Sequence, residues 1–215
     1  MTHDLFAALP RDGREPLAED AVLLRDFASA EAPDLLTAVE AIATAAPFRR
    51  MMTPGGRMMS VEMTNCGPLG WVSDRAGYRY APRDLLSGAP WPDMPALFAG
   101  LATRAADAAG FAGFAPDACL INRYQPGAQM APHQDRDERD LGAPIVSVSL
   151  GLPATFLFGG ARRGDPARRV RLDSGDVVVW GGASRLAFHG VARLAEGDHP
   201  LTGRCRINLT FRKAG

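Results

Sequence analysis

The chain has 215 residues, of which 47% are hydrophobic and 22% charged, a composition typical of a globular protein that buries its core without cross-links. No apolar run reaches the length of a membrane span and the first residues do not resemble a secretory leader, so we expect a cytoplasmic protein without membrane contact. The formal net charge is zero, which argues against a uniformly basic surface, and three widely spaced cysteines argue against a disulfide framework or a CxxC zinc site.

The first half of the chain predicts two helices separated by irregular structure. Residues 1–30 mix proline, glycine and charge, so we expect an irregular arm. Apolar residues at helical spacing begin at Pro33 and end at Pro47, and a second such pattern runs from Pro95 to Ala109 with Gly110 ending it. Between them, residues 51–92 show no sustained periodicity, which indicates short strands and loops.

From Cys119 onward the sequence predicts short strands separated by glycine-containing turns. The predicted strands are Cys119–Tyr124, Ile145–Leu150, Thr155–Phe158, Arg169–Leu172, Val177–Trp180, Leu186–Val191 and Arg204–Arg212. Several short strands at such spacing favour a sandwich or barrel. The predicted fold class is therefore α+β, with helices first and an all-β second half.

A candidate metal site lies at His133-Gln134-Asp135. Alternate residues of an extended segment project to one side, so one imidazole and one carboxylate can reach the same ion. His189, which we expect on a strand of the opposite sheet, would complete a set of two histidines and one carboxylate. Such a set leaves coordination positions open and is typical of non-heme Fe(II) oxygenases. The motif also occurs by chance, so it does not establish a site alone.

The last predicted strand carries a candidate anchor for an acidic co-substrate. Its polar residues, from Arg206 and Asn208 to Arg212, alternate with an apolar set. The strand could simply expose a polar face, but an open metal needs a bidentate oxygen ligand such as 2-oxoglutarate. Arginine matches the distal carboxylate of that molecule with two parallel hydrogen bonds. Asn122 and Tyr124 share a face of their own strand and could complete this polar lining.

Two arginine clusters allow two interpretations. One includes Arg162, Arg163, Arg168, Arg169 and Arg171, and the other Arg49, Arg50 and Arg57. Each could be a solvated hairpin surface or a local patch that contacts phosphates.

Several blocks of the sequence resemble the AlkB family of DNA-alkylation repair dioxygenases. The blocks are Asn122-Arg123-Tyr124, Pro126-Gly127, His133-Gln134-Asp135, residues 144–151, residues 175–182 and residues 206–212. The similarity spans roughly residue 50 to residue 215 and is strongest from Asp117 onward. Within the family the chain resembles the bacterial repair enzyme more than the RNA or protein demethylases.

The resemblance implies a double-stranded β-helix, or jelly-roll, with the metal between its sheets. His133, Asp135 and His189 would bind Fe(II) as the catalytic ligands. Arg206 and Arg212 would anchor the two ends of 2-oxoglutarate, with Asn122, Tyr124 and Asn208 lining its pocket. Dioxygen would be the second co-substrate.

The resemblance also implies a nucleic-acid substrate. Residues 51–92 would form a nucleotide-recognition lid, between an N-terminal arm and supporting helix (1–50) and the dioxygenase core with its leading helix (93–215). Trp71 would stack on the target base opposite His133, Tyr78 would contact the backbone phosphate, and Asp137 would face the exocyclic amine of the base. Glu138 and Arg163 match further substrate positions. Without the family, Trp71 is a core or rim residue, Tyr78 half-buried, and Asp137 with Glu138 an acidic turn.

The expected activity is oxidative dealkylation of 1-methyladenine and 3-methylcytosine in single- or double-stranded DNA by a monomeric enzyme, with release of succinate and formaldehyde. The first alternative is an oxygenase that demethylates RNA. Others are an oxygenase acting on a protein side chain or a small molecule, and a non-catalytic β-barrel that senses metal or ligand.

Overall fold

The computed structural model describes residues 13–215, which form two sheets, a separate hairpin and two helices. The strands are β1 (Arg14–Ala18), β2 (Ala21–Leu24), β3 (Arg49–Met52), β4 (Met58–Cys66), β5 (Gly70–Asp74), β6 (Gly77–Ala81), β7 (Ala118–Tyr124), β8 (Met130–His133), β9 (Ile145–Gly151), β10 (Ala154–Phe158), β11 (Arg168–Leu172), β12 (Val177–Trp180), β13 (His189–Val191) and β14 (Arg206–Arg212). The helices are α1 (Ala32–Ala45) and α2 (Ala96–Ala109), and a short 3-10 turn covers Gly182–Ser184.

All strand pairs are antiparallel among the described residues. The main sheet has eight strands in the order β1-β2-β12-β9-β14-β7-β4-β3, the second sheet has the order β11-β10-β13-β8, and β5 pairs with β6 alone. A largely antiparallel fold with few helices agrees with the predicted fold class.

Two apolar cores separate the layers. One lies between the helices and one face of the main sheet, and the other between the opposite face and the four-stranded sheet. Strand β14 shows how the sequence builds both, because Ile207, Leu209 and Phe211 enter the helix-side core while Arg206 and Arg212 are buried on the other face. The predicted alternation of β14 is therefore confirmed, and its polar face points inward.

Both predicted helices are confirmed. Helix α1 carries proline at its first turn and buries Leu35, Val39 and Ile42. Helix α2 buries Phe98 and a row of small residues, and it ends at Gly110, whose φ of 100° is the left-handed conformation that glycine adopts without strain. No helix within residues 13–215 is long and apolar enough to span a membrane.

The prediction of an irregular arm over residues 1–30 is wrong for its described part, and residues 1–12 lie outside the described residues. Strands β1 and β2 form a hairpin, and β2 pairs with β12 from Ala21↔Trp180 to Leu24↔Val177. Strand β2 is only four residues long and wholly buried, so it has no polar alternation to reveal it. The long-range pairing with β12 decides its conformation.

One further predicted strand needs correction, and one strand in the structure was not predicted. The strand predicted over Leu186–Val191 is shortened to β13, because the backbone first leaves the 3-10 turn. Strand β8 was not predicted, since its four residues include Pro132 and are not fully buried. Within residues 51–92, the long strand β4 joins the main sheet, and β5 with β6 forms the part that stands apart from it.

Candidate active site

The three predicted metal ligands come together at one end of the four-stranded sheet. His133 ends β8, Asp135 follows two residues later, and His189 begins β13. The ligand atoms of all three lie within 4.8 Å of one another. His133 Nε2 is 3.5 Å from Asp135 Oδ1, and His189 Nε2 is 3.7 Å from Asp135 Oδ2.

The expected placement of His189 on an opposite sheet is wrong. Strand β13 pairs directly with β8, and His189 is the register partner of His133. The two imidazole centroids are 4.5 Å apart. The histidines therefore converge because adjacent residues of an antiparallel pair project to the same side.

Both imidazoles are oriented for metal binding by their own backbone. His133 Nδ1 lies 3.0 Å from Ala131 O, and His189 Nδ1 lies 3.0 Å from Ala187 O. A carbonyl oxygen can only accept, so each Nδ1 carries a proton, and in the neutral imidazole Nε2 then keeps a lone pair for a metal. Such outer hydrogen bonds fix the tautomer of metal-binding histidines. Two histidines and one carboxylate arranged in this way fit Fe(II) with open positions.

Charge at the cluster favours an ionised carboxylate. Burial alone would raise the pKa of Asp135, but Arg212 and the two histidines hold it well below its usual range. Burial also opposes the charged form of His133, yet the hydrogen bond and charge of Asp135 outweigh it and raise that pKa. Burial and the nearby His133 lower the pKa of His189 to about 4, so this ligand is neutral at neutral pH.

Gln134, between two of the ligands, holds the surrounding loops. Its side-chain amide donates to Leu186 O at 2.6 Å and to Ala161 O at 3.2 Å. These bonds tie the candidate metal motif to the segment that follows β10 and to the segment that precedes β13. No role was predicted for Gln134, although its position between two candidate ligands that face the other way was a signal.

A buried charge network supports Asp135. Arg212 donates to Asp135 Oδ2 from Nη2 at 2.6 Å and from Nε at 2.9 Å, and Arg185 Nη1 donates to Asp135 O at 2.7 Å. Glu138 lies 3.3 Å from Arg212 Nε and 3.2 Å from Arg185 Nη2, and it accepts from Tyr80 OH at 2.7 Å. The network joins β6, β14 and the loop after β8. The roles of Arg185 and Tyr80 were missed, since only the fold brings them to Glu138.

A second polar site surrounds Arg206, which is 1% exposed. Its Nη2 donates to Ser149 Oγ at 2.9 Å, and its guanidinium lies 5.1 Å from the centre of the Tyr124 ring. Its Nε and Nη1 have no hydrogen-bond partner within residues 13–215. Burial lowers the pKa of Arg206 although Tyr124 opposes the shift. Buried donors without partners are costly, so this site calls for an anion with two oxygens.

The amide side chains predicted beside Arg206 are present there. Asn208 is the register partner of Asn122 across β14 and β7, and Asn122 Nδ2 donates to Asn208 Oδ1 at 3.4 Å. Asn208 also donates to Ser147 Oγ at 2.8 Å, while Asn122 Oδ1 has no partner in the described chain. The Ser147 and Ser149 hydroxyls were not singled out from the sequence. Their alternation along a predicted strand was the available signal.

The predicted substrate residues lie on the hairpin of β5 and β6 and on loops beside the metal cluster. Trp71 stacks on Tyr78 with centroids 5.5 Å apart, and Trp71 Nε1 donates to Asp137 Oδ2 at 3.0 Å. Arg163 lies 5.0 Å from the Phe188 ring centre and donates to Pro132 O at 3.3 Å. Glu138, by contrast, is 7% exposed and occupied by the network.

Comparisons with known proteins agree along nearly the whole chain. A model described as the 2OG-Fe(II) oxygenase superfamily matches residues 20–212. The chain is 59% identical over 211 residues to the alpha-ketoglutarate-dependent dioxygenase AlkB of Salmonella typhimurium, which covers 98% of this chain and 97% of that one. It is 58% identical over 212 residues to the protein of the same description from Escherichia coli, and this alignment covers 99% of this chain and 98% of the Escherichia coli protein. A solved structure titled "The structure of OsALKBH1" superposes with a TM-score of 0.82 at 30% identity, covering 94% of this chain and all of that one.

Proposed function

The chain belongs to the 2OG-Fe(II) oxygenase superfamily and, within it, to the AlkB family, and from this premise we propose that it removes alkyl groups oxidatively from damaged DNA bases. It is an Fe(II)- and 2-oxoglutarate-dependent dioxygenase. An N-methylated base, 2-oxoglutarate and dioxygen give the repaired base, formaldehyde, succinate and carbon dioxide.

One observation carries this function beyond the family membership. An open cluster of two histidines and one carboxylate lies on the same side of the main sheet as a buried guanidinium whose Nε and Nη1 lack partners in residues 13–215. A metal site that binds only metal has no need of the second feature. A dicarboxylic co-substrate needs both, because one end chelates the ion and the other needs a cation.

His133, Asp135 and His189 would hold the iron, which supplies the activation of dioxygen that is coupled to oxidative decarboxylation of 2-oxoglutarate. Arg206 would bind the distal carboxylate through its unpaired donors, with Asn122, Tyr124 and Asn208 around it. Arg212 would approach the other end of the co-substrate while it holds Asp135 in place.

The two sheets would form the jelly-roll expected for this family, with the metal between them. Its domain scheme would be an N-terminal arm and helix (1–50), a recognition lid (51–92) and the catalytic core (93–215). The hairpin of β5 and β6 would be the moving part of the lid, since it pairs with no other strand in the described chain.

The target base would enter between the hairpin and the metal cluster. A methyl group on a base nitrogen lies inside the duplex, so the base must leave the stack or come from a single strand. Trp71 would stack on it opposite His133, an interaction worth about 1–3 kcal/mol. Asp137 would face its exocyclic amine and Tyr78 and Arg163 the strand backbone. Glu138 would act on the substrate only through Tyr80 and Arg212.

The direct test starts from anaerobic reconstitution with Fe(II) and 2-oxoglutarate, followed by air and a single strand that contains 3-methylcytosine. Mass spectrometry follows the oligonucleotide and succinate together. We expect loss of one methyl mass with stoichiometric succinate, abolished in His133→Ala. The matched control is His199→Ala, which removes a histidine from a surface turn and should leave turnover unchanged.

The same assay with a matched RNA strand decides the alternative substrate. Turnover of the RNA strand at a higher kcat/KM would replace DNA with RNA in the proposal. Succinate without demethylation of either strand would retain the oxygenase and reject both. A folded, metal-loaded protein that yields neither product would overturn the function.

A further inference from the structure

A pocket separate from the metal cluster and from Arg206 lies beside the hairpin of β5 and β6. Its volume is about 460 Å³, and it is lined among others by Tyr78, Arg79, Tyr80, Asp137, Arg139 and Gly215. This size falls in the range of small-molecule sites. None of the three candidate metal ligands and none of the residues around Arg206 line it.

The pocket has one wall in the hairpin and one wall held by hydrogen bonds. The first wall is strand β6, which pairs with β5. On the other side, Asp117 fixes residues 213–215, accepting from Ala214 N at 2.6 Å and pairing with Lys213 at 2.8 Å. Arg139 N donates to Ala214 O at 3.1 Å and closes the gap between these residues and the loop after β8. The wall opposite the hairpin is therefore fixed by the fold.

Arg139 is the cation in this pocket that is available to a ligand. The guanidinium of Arg79 is bound to Asp74 through Nη1 at 2.9 Å and Nη2 at 2.8 Å. The Asp137 carboxylate accepts from Trp71, and Tyr80 donates to buried Glu138. The side chain of Arg139 is exposed and makes no ion pair or side-chain hydrogen bond with any of residues 13–215. A ligand entering the pocket thus meets an unengaged guanidinium.

The pocket also presents an aromatic surface. Tyr78 is 47% exposed and stacks on Trp71, the residue proposed to stack on the target base. Asp137 lines the pocket and is bonded to Trp71. The pocket therefore adjoins the proposed base site, and a strand bound there would have its next nucleotide within reach of the pocket. An aromatic ring beside a free cation is the combination that binds single-stranded nucleic acid.

We propose that this pocket binds the nucleotide adjacent to the alkylated one on the same strand. Arg139 contacts its phosphate and the Tyr78 ring contacts its base. The inference rests on the proposed function, and it names a residue, Arg139, that discriminates substrates by their neighbouring nucleotide. A nucleotide at the end of a strand has a neighbour on one side only. Arg139 should therefore affect turnover when the alkylated base is at one end of a strand and not when it is at the other end.

The test uses two pentanucleotides, one with 3-methylcytosine at its 5′ end and one with it at its 3′ end. We compare the wild-type protein with Arg139→Gln, and with Arg193→Gln as a matched exposed arginine outside the pocket. Arg139→Gln should lower kcat/KM about five- to tenfold on one pentanucleotide and less than twofold on the other. On the affected strand, the slope of log(kcat/KM) against log[salt] should become less steep by about 0.7, the value for one phosphate contact with a single strand.

A second readout concerns the base of the neighbour. Replacing it with an abasic unit in the affected pentanucleotide should lower wild-type kcat/KM several-fold, because contact with Tyr78 is lost. If Arg139→Gln lowers kcat/KM equally on both pentanucleotides, or on neither, the pocket proposal is overturned. The proposed function is still upheld in that case if the wild-type protein demethylates the strands. Failure of the wild-type protein on both strands and on an internal lesion overturns function and pocket together.

Discussion

Replacement of Arg206 by glutamine should separate the co-substrate site from the stability of the fold. Arg206 is 1% exposed, and two of its donors have no partner within residues 13–215. A buried cation without an anionic partner is a cost to the ligand-free protein, so its replacement by a neutral residue should leave the free energy of unfolding unchanged or raise it. The same change should cost binding of 2-oxoglutarate about 2–5 kcal/mol, since it leaves a buried carboxylate unpaired.

Arg206→Gln should therefore preserve or raise the stability of the ligand-free protein while it weakens the binding of 2-oxoglutarate. A loss of about 2–5 kcal/mol raises the Kd for 2-oxoglutarate roughly 30-fold to several-thousand-fold. At a concentration of 100 times the wild-type Kd, the ligand stabilises the wild-type protein by about 2.7 kcal/mol. A variant with a 100-fold weaker Kd gains only about 0.4 kcal/mol under those conditions. For a chain of this length, the wild-type Tm should rise by about 5–10 °C and the variant Tm by about 1–2 °C.

The assay is thermal unfolding with and without 2-oxoglutarate, in protein loaded with Mn(II) so that turnover does not interfere. Calorimetry gives the Kd separately. Arg206→Lys keeps the charge without the planar fork and should fall between the two. Arg123→Gln is the matched control, because Arg123 neighbours the site on β7 but pairs with Glu62 and stacks over Phe48 instead. An unchanged Kd in Arg206→Gln, together with a large loss of ligand-free stability, would show that the guanidinium serves the sheet rather than the co-substrate.

Two further predictions concern Asp137 and Asp84. Asp137→Asn keeps an acceptor for Trp71 but removes the negative charge. Because charge-assisted hydrogen bonds are about twice as strong as neutral ones, kcat/KM should fall about tenfold on cationic 3-methylcytosine and little on a neutral N-alkyl lesion. Equal losses of kcat/KM on both lesions would show that Asp137 does not recognise the charge of the base. Burial would raise the pKa of Asp84, but Arg49 at 2.8 Å and the Leu86 amide outweigh it and lower that pKa below 3.8. The charged form therefore stabilises the fold above pH 3.8, and this contribution is lost as the pH falls through the lowered pKa. Urea unfolding should show Asp84→Asn less stable than wild type by about 1–3 kcal/mol at pH 7, with the gap closing as the pH falls below 3.8 through the lowered pKa. A difference that stays constant with pH would contradict the ion pair.

The strongly periodic elements were predictable from local sequence. Helices α1 and α2 carry proline or glycine at their ends and a repeating apolar stripe, so their bounds differ from the prediction by one residue or so. The predicted alternation of β14 also appears in the structure, with Arg206 and Arg212 on one buried face. These features depend on residues close together in the chain, and local physical chemistry is enough to decide them.

The chemical identity of the metal ligands was likewise readable, because His133 and Asp135 are two residues apart. The partner His189 was identified by residue type and by family resemblance, yet its place beside β8 was not. That placement depends on pairing between β8 and β13, two strands of four and three residues, too short for any sequence period. The same reason explains why β2, a four-residue buried strand, was taken for part of an irregular arm.

The sequence alone thus determined the residue types of the site, the helices and the polar face of the last strand. Only the tertiary structure decided which polar groups are engaged and which are free. Glu138 and Arg139 are adjacent, but one is buried among Tyr80, Arg185 and Arg212 while the other faces a pocket without a partner in the described chain. Whether a charged group is satisfied depends on atoms contributed by distant strands, and the order of residues along the chain does not contain that geometry.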